Sequence, residues 1–213
     1  MLALSLIPVY RAIINRNEFY FFTRNYTFMI ITHIEIFRLS IPMEPFVIAT
    51  GTMDYAQNTC IKVHTDAGIY GLGECSAFPM IVGETQNTCL ALAQDFARIW
   101  KGKDPLAIEA RMAELHSYIA GNGTIKSAFD MALFDIAAKD AKMPLYRFLG
   151  GQVKDITTDI TLGIDTAEQM AAKALLLKNG GAEALKVKLG KDPKADIERI
   201  KEIRKAVGFD IPI

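Results

Sequence analysis

The sequence predicts an α/β protein in two parts, an α+β cap followed by the beginning of a parallel (β/α) barrel. Two observations support this fold class. Residues 30–74 contain three strand-like stretches separated by turn residues, and helix-like stretches follow them as far as residue 151. After residue 151, strand-like and helix-like stretches alternate, which is typical of a parallel sheet with helical crossovers.

Composition excludes several classes of protein. The 213 residues suffice for one large domain or two small ones, and 24 Lys and Arg balance 24 Asp and Glu. Without a block of like charge, the chain shows no footprint for nucleic acid or an anionic membrane, so we expect a small-molecule or polypeptide partner.

Cysteine and histidine spacing indicates neither a disulfide framework nor a metal site. An odd number of separated cysteines favours a reducing compartment, and we therefore expect a cytoplasmic protein. We interpret all six residues as structural or incidental: Cys60, Cys75, Cys89, His33, His64 and His116.

The first 28 residues differ from the rest of the chain. The apolar run MLALSLIPVY is followed by charges and asparagines, which exclude a membrane-spanning run of about 18 apolar residues. No basic region precedes it and no cleavage pattern follows it, as a secretory signal would require. We interpret residues 1–28 as an extension outside the fold, with Met29 as the natural start; a short membrane-associating tail is the alternative.

The cap is predicted to occupy residues 29–151 and to begin with a three-stranded antiparallel meander. Its strands are IITHIEIFRL, NTCIKVHT and IYGLGE. The stretch IPMEPFVIATGTMDYAQ between the first two strands is long and rich in Pro and Gly, so it predicts a mobile loop that could carry function. GLGECS lacks the third glycine of a dinucleotide fingerprint and lies on a hairpin arm, which argues against nucleotide binding.

Three helices are predicted after the meander. Apolar spacing indicates a helix ending near Trp100, a break at GKDP, and a second helix ending near Ala120. The stretch TIKSAFDMALFDIAAKDA predicts the most regular helix of the chain. Its apolar stripe consists of Ile125, Phe129, Leu133, Ile136 and Ala137.

Residues 152–213 predict about two and a half βα units of an incomplete barrel. TTDITLGI is the first strand, and Asp165 with Glu168 predicts the start of the helix after it. LKVKLG contains the second strand, Asp192 and Pro193 open the second helix, and FDIPI begins a third strand. Because a closed eight-stranded barrel takes about 250 residues, this part lacks the neighbours that would complete its sheet.

Two lysines lie in the second of these strands. Side chains alternate along a strand, so Lys186 and Lys188 share one face while Leu185, Val187 and Leu189 share the other. The two lysine stems start about 6.6 Å apart, where unit charges at an effective dielectric of 20 repel by about 2.5 kcal/mol. The pair is either solvated surface charge or a device that keeps one lysine partly neutral.

These stretches together resemble the enolase superfamily. The resemblance lies in the cap, in the run KSAFDMALFDIAAKDAKMPLYRFLGG, and in a second barrel strand that carries K-x-K. Within the superfamily the chain is similar to the muconate-lactonizing branch, and most of all to dipeptide epimerases of the L-Ala-D/L-Glu epimerase type. PFVIATGT, YGLGECSAFPMIVGET and TDITLGI carry this finer similarity, which covers residues 29–213 and about the first half of a family member.

The resemblance implies an enolase-type capping domain, a truncated (β/α) barrel, and an isomerase of the racemase and epimerase class. Such enzymes remove the proton α to a carboxylate or amide carbonyl, and Mg²⁺ stabilises the enolate. By position Lys188 would be the base and Lys186 its electrostatic helper, at the end of the strand where barrel active sites are built.

Other residues receive roles only through the resemblance. Thr161 would contact the substrate, and the first loop, with Phe46 and Ile48, would close over it together with residues 74–79. No metal ligand is expected in this chain, because the Mg²⁺ carboxylates belong to the third, fourth and fifth barrel strands. The second catalytic lysine belongs to the sixth, so we expect an inactive amino-terminal fragment whose missing residues lie beyond Ile213.

The substrate and the reaction stay open at this point. Some epimerases of this type carry an arginine in the first loop, where this chain has Gly51, so a dipeptide other than Ala-Glu is plausible. A cycloisomerase, an o-succinylbenzoate synthase, a dehydratase or a Schiff-base aldolase are alternatives on similar scaffolds. A non-catalytic remnant that completes its sheet with another chain is a further alternative, and the resemblance allows a homo-oligomer of the complete protein.

Overall fold

The computed structural model describes residues 28–190 and 192–213, together with the backbone of two short strands before them. These strands, β1 (Ala12–Asn15) and β2 (Glu18–Phe21), pair antiparallel and form a sheet of their own. The other residues of the predicted extension, apart from Phe28, lie outside the described residues. The domain limits at residues 28 and 151 stay predictions.

The cap contains the predicted antiparallel meander, but two of its strands are much longer than predicted. Strands β3 (Ile31–Ile48), β4 (Gly51–Thr65) and β5 (Tyr70–Ser76) form one sheet in the order β3-β4-β5. The predicted mobile loop between the first two strands is wrong: β3 and β4 run through it and leave only residues 49–50 as the turn. A register shift between Pro42 and Phe46 accommodates the prolines, which cannot donate to a regular ladder.

Helices cover one face of this sheet and confirm the predicted helical part of the cap. They are α1 (Pro79–Val82), α2 (Gln86–Trp100), α3 (Ile108–Tyr118), α4 (Gly123–Asp140) and α5 (Leu145–Phe148). All five residues of the predicted apolar stripe of α4 are buried. Phe129 of this stripe packs edge to face on Phe96, with ring centroids 5.2 Å apart, and on Trp100, with centroids 4.9 Å apart.

Helix α4 and strand β5 approach so closely that two glycines are required between them. A Cβ atom at Gly71 would lie 2.0 Å from the Ala132 carbonyl oxygen, and one at Gly73 would lie 1.7 Å from the Ala128 carbonyl oxygen. The glycines of GLGECS therefore serve helix packing. The outer edge of β5 is also covered by α4, because Asp135 accepts a hydrogen bond from the Leu72 N–H at 2.9 Å.

A buried carboxylate holds the amino-terminal end of α4. Glu84 is 7% exposed, and its two oxygens accept hydrogen bonds from the N–H groups of Thr124 (3.0 Å) and Ile125 (3.3 Å). The first N–H groups of a helix have no partner within the helix, and the helix dipole favours negative charge there. Glu84 thus ties the segment before α2 to the central helix of the cap.

The second part of the chain contains the predicted parallel βα units. Strands β6 (Ile160–Leu162) and β7 (Leu185–Val187) pair parallel and are followed by α6 (Ala167–Asn179) and α7 (Pro193–Val207). Asp192 caps α7 as predicted, but α6 is capped by Thr166 and not by Asp165, which instead accepts a hydrogen bond from the Thr166 N–H.

The third predicted strand, FDIPI, is not assigned as a strand, although its Pro212 carbonyl accepts a hydrogen bond from the Leu185 N–H at 3.0 Å. A separate apolar core joins the two strands of this part to its two helices. It consists of Leu162, Met170, Ala174, Leu185, Ile203, Val207 and Ile211. No helix in the described ranges has the length and apolar character needed to cross a membrane.

We predict that Gly73→Ala destabilises the cap by about 3 kcal/mol, because the new methyl group would overlap a backbone oxygen that can move only with α4. Gly123→Ala is the matched control, since a Cβ there meets nothing within 4 Å. Urea unfolding followed by circular dichroism measures both variants. Equal unfolding midpoints for the two would contradict the close approach of α4 and β5.

We predict that Glu84→Gln lowers the free energy of unfolding by about 1–2 kcal/mol, because an amide carries no charge for the helix dipole and adds donors facing the helix N–H groups. Glu198→Gln on the exposed side of α7 is the control and should change stability little. The same urea experiment compares them. A Glu84 variant as stable as wild type would mean that this carboxylate does not cap α4.

Candidate active site

The two lysines and Thr161 lie on the open face of the parallel sheet. Thr161 pairs with Lys186 in the register of β6 and β7, and paired residues of neighbouring strands point to the same side. The opposite face carries Leu162 and Leu185, which are buried against α6 and α7. The predicted separation of lysine and leucine faces is therefore present in the structure.

Lys188 lies one residue beyond β7 but continues the parallel pairing. Its backbone N–H donates to the Leu162 carbonyl at 3.0 Å, so its side chain keeps the alternation of the strand. Lys188 is half-buried, whereas Lys186 is exposed. Both lysine side chains thus project from the carboxyl end of the sheet, where the active sites of barrel enzymes lie.

The long hairpin of the cap reaches this same end of the sheet. We call residues 46–51 the hairpin tip. The Val47 carbonyl accepts a hydrogen bond from the Ile164 N–H at 2.8 Å, just after β6. At Gly163 a Cβ would lie 3.3 Å from the Val47 nitrogen and 3.6 Å from the Phe46 ring, so the tip rests directly on the backbone there.

Two further contacts hold the hairpin. A Cβ at Gly190, after β7, would lie 3.4 Å from the Ala49 methyl group. Lys173 of α6 donates a hydrogen bond to Glu44 at 2.5 Å, and this bond lowers the pKa of the Glu44 carboxyl. The predicted closing segment is thus a paired two-stranded ribbon that contacts the segments after both strands.

Helix α1 supports the tip from the cap side. A Cβ at Gly51 would lie only 2.6 Å from the Met80 sulfur, so the absence of a side chain at Gly51 leaves room for Met80. A groove of about 320 Å³ follows between β4 and residues 77–80, lined in part by Tyr55 and Phe78. The structure therefore brings together the two segments that the sequence predicts to close over the site.

Of the predicted site residues, the structure brings Thr161, Lys186 and Lys188 to one face and Phe46 to the edge of that face. Ile48 shares the side of the hairpin ribbon that carries Phe46, because one residue separates them, and both are half-buried. These positions agree with the predicted geometry, while the roles of the five residues stay predictions.

The open face does not fit a Mg²⁺ ion. It presents two lysine nitrogens and a hydroxyl, whereas Mg²⁺ binds carboxylates and other oxygen ligands. In the described part of the chain, no ion pair includes Lys186 or Lys188. Asp196, in the first turn of α7, is engaged by the Gly190 N–H and by Arg199. We therefore assign these residues no part in metal binding.

One cluster was missed in the sequence. His33, Glu35 and His64 approach one another on the cap sheet, although the spacing of the histidines in the sequence indicates no metal site. His33 and His64 are 31 positions apart in the chain, and only the register of β3 and β4 places them opposite each other. Alignment of the two predicted strands on their alternating apolar residues, such as Ile61 and Val63, could have placed the two histidines side by side.

A capping meander joined to parallel βα units defines the class of protein as one with an enolase-type cap and the first units of a (β/α) barrel. The model of the mandelate racemase / muconate lactonizing enzyme, N-terminal domain, matches residues 31–150. The chain belongs to this family of the enolase superfamily, which confirms the resemblance seen in the sequence.

Three relatives illustrate the similarity. The D-Ala-D/L-Ala epimerase of Cytophaga hutchinsonii is 42% identical over 87% of this chain and 51% of its own length. The L-Ala-D/L-Glu epimerase of Clostridium acetobutylicum is 35% identical over 86% of this chain and 52% of its own length. The crystal structure of a Cytophaga hutchinsonii dipeptide epimerase with Mg and D-Ala-L-Val superposes with a TM-score of 0.84, at 41% identity, over 85% of this chain and 50% of that one.

The chain spans about half the length of the curated relatives it matches. Its relatives are epimerases and racemases, so the chain comes from a family of isomerases. The predicted capping domain and the first units of a barrel are confirmed by the family match and the superposition.

We predict that Gly163→Leu releases the hairpin tip, because its side chain must displace Phe46 and Val47. The Ile164 amide, which donates to Val47, should then exchange with deuterium about tenfold faster. Ala172→Leu, on the exposed side of α6, is the control for an added leucine. Hydrogen exchange followed by NMR measures both, and unchanged protection of Ile164 in the Gly163 variant would contradict the contact.

Proposed function

We propose that this chain supplies the capping domain and the first base of a Mg²⁺-dependent dipeptide epimerase. The observation that carries the proposal is the face shared by Thr161, Lys186 and Lys188, which ends beneath the hairpin tip. Relatives named as dipeptide epimerases support the reaction class. Among the described residues, the lysine face presents no carboxylate, so we propose that other barrel strands of the complete enzyme would supply the ligands of Mg²⁺.

Lys188 is proposed as the base that removes the proton α to the substrate carbonyl. Its neutral amine would accept the proton on one side of the substrate carbon, and return of a proton to the same side would give α-proton exchange without inversion. Inversion would require a proton from the opposite side, which the resemblance assigns to a second lysine on the sixth barrel strand. Lys186, on the same face of the sheet, would place a positive charge near the negative charge that develops on the substrate. The Thr161 hydroxyl, paired with Lys186, would hold a polar group of the dipeptide.

The hairpin tip is proposed to exclude water and to select the substrate. Its residues, FVIATG, carry no charge, so the tip offers an apolar surface and no cation for an acidic side chain. Met80 occupies the space beside Gly51, where a longer residue would otherwise extend. We therefore propose a dipeptide with a small or apolar side chain, which is also the kind of ligand named for the Cytophaga hutchinsonii structure.

The test is a chimera in which residues 29–213 are fused to the remaining half of the Cytophaga hutchinsonii epimerase. We predict that Lys188→Ala lowers kcat for epimerisation of D-Ala-L-Val about 10³-fold, because the proton has lost its base. Lys201→Ala on the exposed side of α7 is the matched control and should retain the activity of the parent chimera. Chiral chromatography and α-proton exchange in deuterium oxide provide the two readouts.

The two readouts separate a base from a structural residue. Each epimer presents its α-proton to only one side of the site. The Lys188 variant should therefore lose α-proton exchange for the epimer whose proton faces Lys188, and lose less exchange for the other epimer. Equal activity of the Lys188 and Lys201 variants would refute the assignment. The 213-residue chain alone with Mg²⁺ should show no turnover, and turnover that Lys188→Ala abolishes would refute that expectation.

A further inference from the structure

The outer face of the cap sheet carries a cluster of metal-binding side chains far along the hairpin from its tip. β3 and β4 pair antiparallel, with His33 opposite His64 and Glu35 opposite Lys62. The neighbouring residues Ile61 and Val63 are buried toward the helices. Because side chains alternate along a strand, the two histidines and Glu35 project from the face that the helices leave uncovered.

The three side chains are close enough to share one ion. The two imidazole rings stack with centroids 4.1 Å apart and an angle of 8° between their planes, so one ring must rotate before both direct a nitrogen at the same ion. Glu35 forms a short hydrogen bond with the Nε2 atom of His64. One ligand atom from each of His33, Glu35 and His64 lies within 4.8 Å of the other two. Two imidazole nitrogens and one carboxylate oxygen are the donor set that zinc sites with an open fourth position commonly use.

Neighbouring groups orient the ligands and set the local charge. The Thr32 hydroxyl lies 3.1 Å from the Nδ1 atom of His33, which leaves the Nε2 atom of that ring available to a metal. The Glu35 carboxylate lies against His64, so an oxygen ligand is already positioned beside one of the two imidazoles.

One nearby cation opposes metal binding. The Lys62 ammonium is 3.9 Å from Glu35 and also lies over the Tyr70 ring, 4.3 Å from its centroid. Lys62 therefore competes with a metal for the same carboxylate oxygen, although the aromatic ring holds part of its interaction. A variant that lacks the Lys62 ammonium group is therefore expected to bind the metal more tightly than the wild type.

We propose that His33, Glu35 and His64 bind one divalent transition-metal ion, of the class of Zn²⁺. The site is distinct from the lysine face and from the Mg²⁺ of the proposed reaction, and it does not depend on the proposed function. A bound ion would replace the hydrogen bond between Glu35 and His64 with three metal bonds. It would also join β3 to β4 near the end of the hairpin that lies furthest from the tip.

The test uses the full 213-residue chain after removal of metal by dialysis against a chelator. Zn²⁺ is titrated in competition with a coloured chelator, and Co²⁺ is titrated while its visible absorption is recorded. We expect one Zn²⁺ per chain and the absorption of a nitrogen- and oxygen-ligated Co²⁺. His33→Gln and His64→Gln should each weaken Zn²⁺ binding at least about tenfold. His116→Gln, which changes the exposed histidine of α3, is the matched control and should leave binding unchanged.

A second variant distinguishes ligand loss from damage to the fold. Lys62→Gln removes the competing ammonium group and should tighten Zn²⁺ binding by about threefold or more. Circular dichroism checks that each variant keeps the cap. The proposal is overturned if the chain takes up no stoichiometric Zn²⁺, if the His33 and His64 double variant binds as wild type does, or if His116→Gln weakens binding as much as His64→Gln.

Discussion

The close approach of α4 to β5 is the constraint on which the cap depends. Gly71 and Gly73 let the helix backbone lie directly on the strand, and no residue with a side chain fits at either position. From this contact the apolar stripe of α4 reaches Phe96 and Trp100 of α2, and the amino end of α4 is held by Glu84. Because α4 fixes the sheet at β5, the other two strands, β3 and β4, can extend well past the helices.

Those two strands connect the cap to the lysine face. Because β3 and β4 are paired almost to their ends, the position of the tip follows from the position of the sheet. The tip meets the chain after β6 through Val47 and Ile164, and it meets the loop after β7 through Ala49 and Gly190. Gly163 and Gly190 lie at these two contacts and have no side chain, so the cap contacts the backbone close to Lys188. The same residues that shape the cap thus determine what can approach the lysines.

Features with a strong local period could be predicted from the sequence. The stripe of α4 repeats with the helical period, and the alternation in LKVKLG correctly places Lys186 and Leu185 on opposite faces, whereas Leu189 lies beyond β7 and is exposed. The hairpin could not be predicted at its full length, because Pro42, Pro45 and Gly51 resemble loop residues. In the structure a register shift accommodates the two prolines, and Gly51 pairs with Ile48 next to the turn. The approach of His33 to His64 was missed for another reason. It depends on how two strands align, which no single stretch of sequence contains.

The hydrogen bonds that α4 makes along the outer side of β5 have a consequence for assembly. The Asp135 carboxylate accepts a hydrogen bond from the Leu72 N–H, and the Lys139 ammonium donates one to the Tyr70 carbonyl at 2.7 Å. These two backbone groups of the edge strand are therefore not free to pair with another strand. A second polypeptide therefore finds fewer free backbone groups for strand addition at the end of this edge formed by residues 70–72. Side chains of α4 thereby cover part of the β5 edge, in addition to completing the core of the cap.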